Sequence, residues 1–285
     1  MQMQRGAIFM RAGRLATRRY KVRRGYGGWI GLAAVCLLLV MAGYALRQGW
    51  ITLSLPVITP EKAAATHPPQ DLSPQERAFT LPGQSWFALQ LGAFDQLSSA
   101  QSVADGYRSR GAGGYLLQQG SYRVLAAAYA TRAEAQAVQN QLKTQHGVEA
   151  VITEIVRPEI TLHLTGQAMQ LTALTDAYDA VDQLIGHLNA LFLSLDQGQA
   201  DTEAILAALR SERDTAAALA SRLDTLFAGA GHPAVRNMAS LLEDIASALD
   251  GCLSAQGRAR LGAQVKYCHL LCVCRMAAYA EGLAP

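Results

Sequence analysis

The sequence predicts an α+β unit of strand–helix–strand–strand–helix–strand order. That unit is set between one N-terminal transmembrane helix and an all-α C-terminal helical bundle. Three observations predict it. Residues 29–46 carry no charge and are mostly Leu, Ala, Val, Ile and Gly. Between residues 84 and 157, short apolar runs bounded by turn residues alternate with two helix-like stretches. From Leu171 onward, apolar residues recur at steps of three and four, the spacing of a buried helical face.

The first 28 residues hold eight basic side chains (Arg5, Arg11, Arg14, Arg18, Arg19, Lys21, Arg23, Arg24) and no acid. The chain's net charge of +3 therefore averages a basic tip with an acidic remainder. Residues 25–46 are uncharged, and about 20 helical residues cross a hydrocarbon core of about 30 Å. Tyr26 and Trp29 stand at one end, and Tyr44 and Trp50 at the other, where amphipathic rings favour a membrane interface. The dense positive charge before the span places residues 1–28 in the cytoplasm and sends the remainder across an inner membrane as a single pass. A cleaved signal peptide, with Gly43-Tyr44-Ala45 as its small-x-small site, competes with this reading. The apolar run exceeds the usual 7–15 residues of such a core. A nucleic-acid-binding basic arm would leave the apolar run unexplained.

Six of the nine prolines fall between Pro56 and Pro82, so residues 47–83 read as an extended linker. At about 3.1 Å per residue it reaches on the order of 100 Å.

Within residues 84–157, residues 85–94 read as the first strand and 98–110 as the first helix. Residues 114–118 form a second strand and Gln119-Gly120 a hairpin turn. Residues 121–129 form the third strand. Thr131-Arg132-Ala133-Glu134 is a capping box that opens a helix to about residue 146. Residues 148–156 form the last strand, before Pro158. This βαββαβ order is that of ferredoxin-like folds, with both helices on one sheet face and the other face open.

Three segments resemble the SPOR (sporulation-related repeat) domain family: Ala88-Leu89-Gln90-Leu91-Gly92-Ala93-Phe94, Tyr122-Arg123-Val124 and Thr131-Arg132-Ala133-Glu134-Ala135. Their order and spacing match the family over about residues 84–157, a quarter of the chain. The resemblance implies binding of peptidoglycan glycan strands stripped of their stem peptides. It also implies a periplasmic location, at sites of cell division or wall remodelling. Strand side chains alternate between faces, so with Leu89 and Leu91 toward the helices, Gln90 points to the open face. Gln90 offers a donor and an acceptor to sugar hydroxyls. Arg123 offers a charged fork to glycan oxygens or to a lactyl carboxylate. Carried over position by position, the resemblance names Gln90, Ala93, Ser121, Tyr122 and Arg123 as peptidoglycan-binding residues. Ser121 stands where the family often has an aromatic, which weakens any stacking contribution. The bland alternatives are a solvated Gln90, an ion-paired Arg123 and a core Tyr122. An RNA-recognition fold shares the βαββαβ order, but its aromatic-rich motif is missing from the third strand, so no nucleic-acid partner is expected.

Residues 158–285 form the bundle domain. Leu171, Leu174, Tyr178, Val181, Ile185, Leu188, Phe192 and Leu195 mark its first helix. The segments around 205–226, 233–252 and 261–280 give three more, and short connections make neighbours antiparallel. Residues 159–285 are then a candidate surface for self-association or for divisome or envelope partners. In an oxidising compartment Cys252, Cys268, Cys272 and Cys274 are disulfide candidates. Antiparallel geometry puts Cys252 and Cys268 out of easy reach, because a disulfide needs Cα atoms within about 7 Å. Cys268, His269, Cys272 and Cys274 lack the paired spacing of a metal site. No nucleophile elbow, phosphate loop or paired-His motif is present, so neither an enzyme nor a cofactor is expected. The main functional expectation is a membrane-anchored peptidoglycan-binding protein. The alternative is a structural or scaffolding protein acting through the bundle, with a degenerate SPOR domain.

Overall fold

A computed structural model describes residues 74–199, 201–228 and 232–283. The chain runs β1 (Gln75–Leu81), β2 (Gln84–Phe94), α1 (Leu97–Arg108), β3 (Tyr115–Gln119), β4 (Ser121–Tyr129), α2 (Arg132–His146), β5 (Val151–Arg157) and β6 (Ile160–Gly166). Four long helices follow: α3 (Ala168–Asp196), α4 (Thr202–Leu226), α5 (Pro233–Leu253) and α6 (Arg258–Glu281).

Strands β2 to β5 form one antiparallel sheet in the order β3-β4-β2-β5. Helices α1 and α2 pack on one face of it. Gly120, at φ +70°, makes the turn between β3 and β4. The Thr131 hydroxyl accepts from Glu134 N and the Glu134 carboxylate accepts from Thr131 N, which closes the α2 capping box.

A second sheet pairs β1 with β6, Gln75 opposite Gly166 through Leu81 opposite Ile160. Sequence reading assigns residues 47–83 to the linker and 158–166 to the bundle, so both strands are additions. Their partners lie 81 residues apart at the Thr80–Thr161 pair, a distance at which local periodicity carries no pairing information. Phe79 of β1 stacks on Tyr178 of α3 at 5.2 Å, and Leu81 and Ile160 are buried, so the ribbon sits on the bundle.

Helices α3, α4, α5 and α6 form the bundle. Pro233 opens α5 at its first turn, where its missing N–H costs nothing. Helix α6 is apolar around nearly its whole circumference, which fits a helix buried on all sides. It packs on α3 and α5 and also on β3, β4 and β5.

That packing corrects one expectation: the sheet face opposite α1 and α2 is not open along its length. A second correction concerns the membrane. The transmembrane helix expected at residues 29–46 lies outside the described residues. Among the described residues no helix is long and apolar enough to cross a membrane. The most apolar of them, α3, owes its composition to burial in protein, and it carries Asp176, Asp179, Asp182 and Asp196. The transmembrane part of the expected fold class therefore finds no support. With it go the bitopic inner-membrane assignment, the single-span membrane partner, and the cytoplasmic-to-periplasmic placement of the two termini.

Candidate functional site

The two sheet faces separate residue by residue. On β2, Trp86 meets His269 of α6 edge-on at 4.7 Å, while its neighbour Phe87 lies under Arg132 of α2 at 5.1 Å. On β4, Val124 packs with Ala100 and Ala104 of α1, while Leu125 joins the large core shared with the bundle. Adjacent strand residues point to opposite faces, so α6 covers the face turned away from α1 and α2. Gly92 lies on the α1 side. A Cβ there would meet the Phe94 ring at 2.8 Å, which explains a glycine in Leu91-Gly92-Ala93-Phe94.

Of the five residues expected to bind glycan, four share the α6-side face. The β2–β5 register carries that face regularly from Trp86 to Gln90. Gln90 is half-buried, and its Oε1 accepts from the Thr153 hydroxyl at 3.3 Å. Ala93 is exposed and lies directly opposite Arg123. Ser121, opposite Gln119, is half-buried. Arg123 is half-buried and makes no hydrogen bond or ion pair among the described residues. Tyr122 departs from the group. It pairs with Phe94 and joins the small apolar cluster against α1.

The face therefore has two halves. Near Gln90, Ala93 and Arg123 it is uncovered, and Val151, paired with Gln90, is 61% exposed. Toward the other end it is sealed. Trp86 is 5% exposed against His269, and Tyr115 meets Tyr267 at 5.6 Å. The Arg108 guanidinium lies 5.3 Å over the same Tyr267 ring. At the end of β4, Tyr129 meets Phe192 of α3. Gly113 lets the helix backbone in, since a Cβ there would stand 3.0 Å from Tyr267 N.

Polar contacts fasten the seal. Arg157, 4% exposed, pairs through both guanidinium nitrogens with the Asp182 carboxylate of α3, the Nη2–Oδ2 contact being 3.0 Å. Its Nε donates to Pro82 O at 3.1 Å. Lys266 Nζ donates to Gly111 O at 3.1 Å and to Asp196 Oδ1 at 2.7 Å.

Other polar atoms at the seal are orphaned. Among the described residues, Trp86 Nε1 and both ring nitrogens of His269 have no hydrogen-bond partner. Burial pushes the His269 imidazole down from 6.5 to about 3, so it is held neutral. Burial likewise raises Tyr115 far above the usual phenol range.

Sequence reading places a helix at 261–280 but misses that it covers the sheet. The signal is in residues 261–280, where apolar positions fill nearly every direction around the helix rather than one stripe. A helix of that kind needs neighbours on more than one side. Cys268, His269, Cys272 and Cys274 supply part of that apolar surface. All four described cysteines are free and buried. Burial raises the Cys274 thiol to about 12. Among the described residues no group of three or more His, Cys, Asp or Glu is placed to hold a metal ion.

A family model described as SPOR domain matches residues 83–154, about a quarter of the chain. No curated protein matches the chain, and neither does any solved structure. SPOR domains are peptidoglycan-binding, non-catalytic modules.

Proposed function

We propose that the protein is a structural, scaffolding protein whose helical domain is its acting part, with the SPOR-like sheet built into it as a platform. One observation carries this reading: α6 is seated on the sheet face that a free binding module leaves to its ligand. The fit is core-like, with Trp86, Ala127, Tyr129 and Arg157 all nearly inaccessible. A free module would have no reason to hold such a surface dry.

A specific observation favours a second, narrower role. Arg123 is a cation without a partner among the described residues, directly across from exposed Ala93 and near Gln90. An unpaired guanidinium beside an amide makes a short donor strip suited to glycan oxygens or a carboxylate. The scaffold thereby keeps a weak hold on peptidoglycan.

Co-sedimentation of the full chain with sacculi, before and after amidase treatment, tests both roles. Weak, saturable binding that favours treated sacculi and falls at least fivefold in Arg123→Ala is the expected result. Binding unaffected by Arg123→Ala removes the glycan role. Cross-linking and light scattering on the same chain test the scaffold. A strict monomer that captures no partner rules it out.

A further inference from the structure

We propose that the helical domain is a releasable cover over the sheet, and that the sheet swings away from it on a two-stranded hinge. The inference rests on the reading that the sheet retains some affinity for glycan, and it adds how that affinity is controlled.

Topology supplies the hinge. Residues 84–157 are inserted between β1 and β6, which pair with each other. The ribbon belongs to the helical side, through Phe79 on Tyr178 and through buried Leu81 and Ile160. The chain joins ribbon and sheet at only two places, Pro82-Gly83 and Pro158-Glu159. These connectors lie side by side, since a Cβ on Gly83 would stand 3.3 Å from Glu159 N. Two short adjacent connectors let the sheet rotate as one body, with the φ and ψ changes confined to a few residues.

The closed interface stores a reason to open. Trp86 Nε1, His269 Nδ1 and His269 Nε2 are buried there without partners among the described residues. Each regains water when the cover lifts, which offsets part of the cost of exposing apolar surface. The far side is held by a latch: Lys266 to Gly111 O and Asp196, and the Arg108–Tyr267–Tyr115 stack.

Opening also changes what the sheet can bind. It bares the Trp86 and Tyr115 rings on the face that already carries Gln90 and Arg123. Flat rings beside donors suit a pyranose, whose C–H face stacks while its hydroxyls bond. A glycan strand and the α6 residues Tyr267 and His269 compete for the same two rings. Apparent affinity is then the open-state affinity reduced by the open fraction.

Native thiols report the motion. Cys274 lies one and two turns beyond Leu270 and Tyr267 on α6, the residues that meet Gly113 and Tyr115, so it faces the sheet. Cys252 on α5 is buried toward Cys268, within the bundle. In the full chain with Cys36→Ala, Cys274 is expected to react with a small thiol reagent at least tenfold faster than Cys252. Lys266→Met and Tyr267→Ala, made separately, should speed Cys274 labelling further, leave Cys252 labelling unchanged and raise binding to amidase-treated sacculi at least fivefold. Equal labelling rates for the two cysteines in all three proteins overturn the proposal, whatever the sacculi bind. Faster Cys274 labelling without any gain in sacculus binding supports the hinge and overturns the glycan reading instead.

Discussion

Trp86 gives the sharpest test of the covered sheet, because two substitutions there are expected to move stability in different directions. The side chain is 5% exposed, wedged edge-on against His269, and its indole N–H has no acceptor among the described residues. Truncating a buried Trp to Ala costs about 3–5 kcal/mol. Losing an orphaned donor returns about 1–3 kcal/mol. Trp86→Ala should therefore destabilise by about 2 kcal/mol, the centre of a range of about 0–4 kcal/mol. Trp86→Phe keeps a ring against His269 and removes the orphan. The void it leaves, about 40 Å³ at about 24 cal/mol per Å³, costs about 1 kcal/mol. Set against the returned desolvation, Trp86→Phe should lie between unchanged and about 2 kcal/mol more stable. Urea unfolding of the full chain, followed by helical circular dichroism, measures both. At a slope of about 2–3 kcal/mol per molar, Trp86→Ala moves the midpoint down by about 1 M. A Trp86→Ala variant more stable than wild type would refute the packing of α6 on the sheet. A Trp86→Phe variant as unstable as Trp86→Ala would show that the indole N–H does have a partner.

Two further outcomes follow from the same interface. The folded protein holds His269 neutral down to about pH 3, whereas the unfolded chain takes up a proton near pH 6.5. Stability from this residue is therefore fully present above pH 6.5 and is lost as pH falls, at about 1.4 kcal/mol per pH unit. Between pH 6.5 and 5, wild type should lose about 2 kcal/mol more than His269→Phe in paired urea titrations, and parallel titrations would contradict the buried neutral imidazole. The four described cysteines are free. A Cys36→Ala chain should titrate four thiols in denaturant without reductant, and a count of two would reveal a disulfide.

Much of the fold is legible because its cues are local. The Thr131–Glu134 capping box and Gly120 announce α2 and the β3–β4 turn within four residues, and the heptad from Leu171 to Leu195 announces α3. Alternation along a strand likewise separates Ser121 and Arg123 from Tyr122, and the register agrees. The β1–β6 ribbon is not legible, because neither strand has its partner nearby in sequence. The cover is illegible for a related reason. Periodicity says that α6 is buried on several sides but not that one of those sides is a sheet more than a hundred residues earlier. The candidate site inherits this limit. Which residues share the face follows from alternation, whereas how much of the face is accessible depends on a distant helix.

One local clue to the cover does exist, in the third strand of the matched domain. Residues Ala126, Ala127 and Ala128 give β4 a run of small side chains, all buried. A sheet face that meets a flexible glycan gains from long polar or aromatic groups, which reach and orient the ligand. A face that meets a helix gains from small ones, because they let the two backbones approach. The same logic places Gly113 against the α6 backbone at Tyr267. At the opposite end, where α6 does not reach, the side chains grow long and polar again at Gln90 and Arg123. Polarity along β2 and β4, rather than size, thus follows the boundary of the cover, with Trp86 and Tyr129 buried in the sealed half and Gln90 and Arg123 beyond it. The helix is accommodated by the composition of the strands beneath it, so closure is the ground state and any exposure of the aromatic half is an excursion from it.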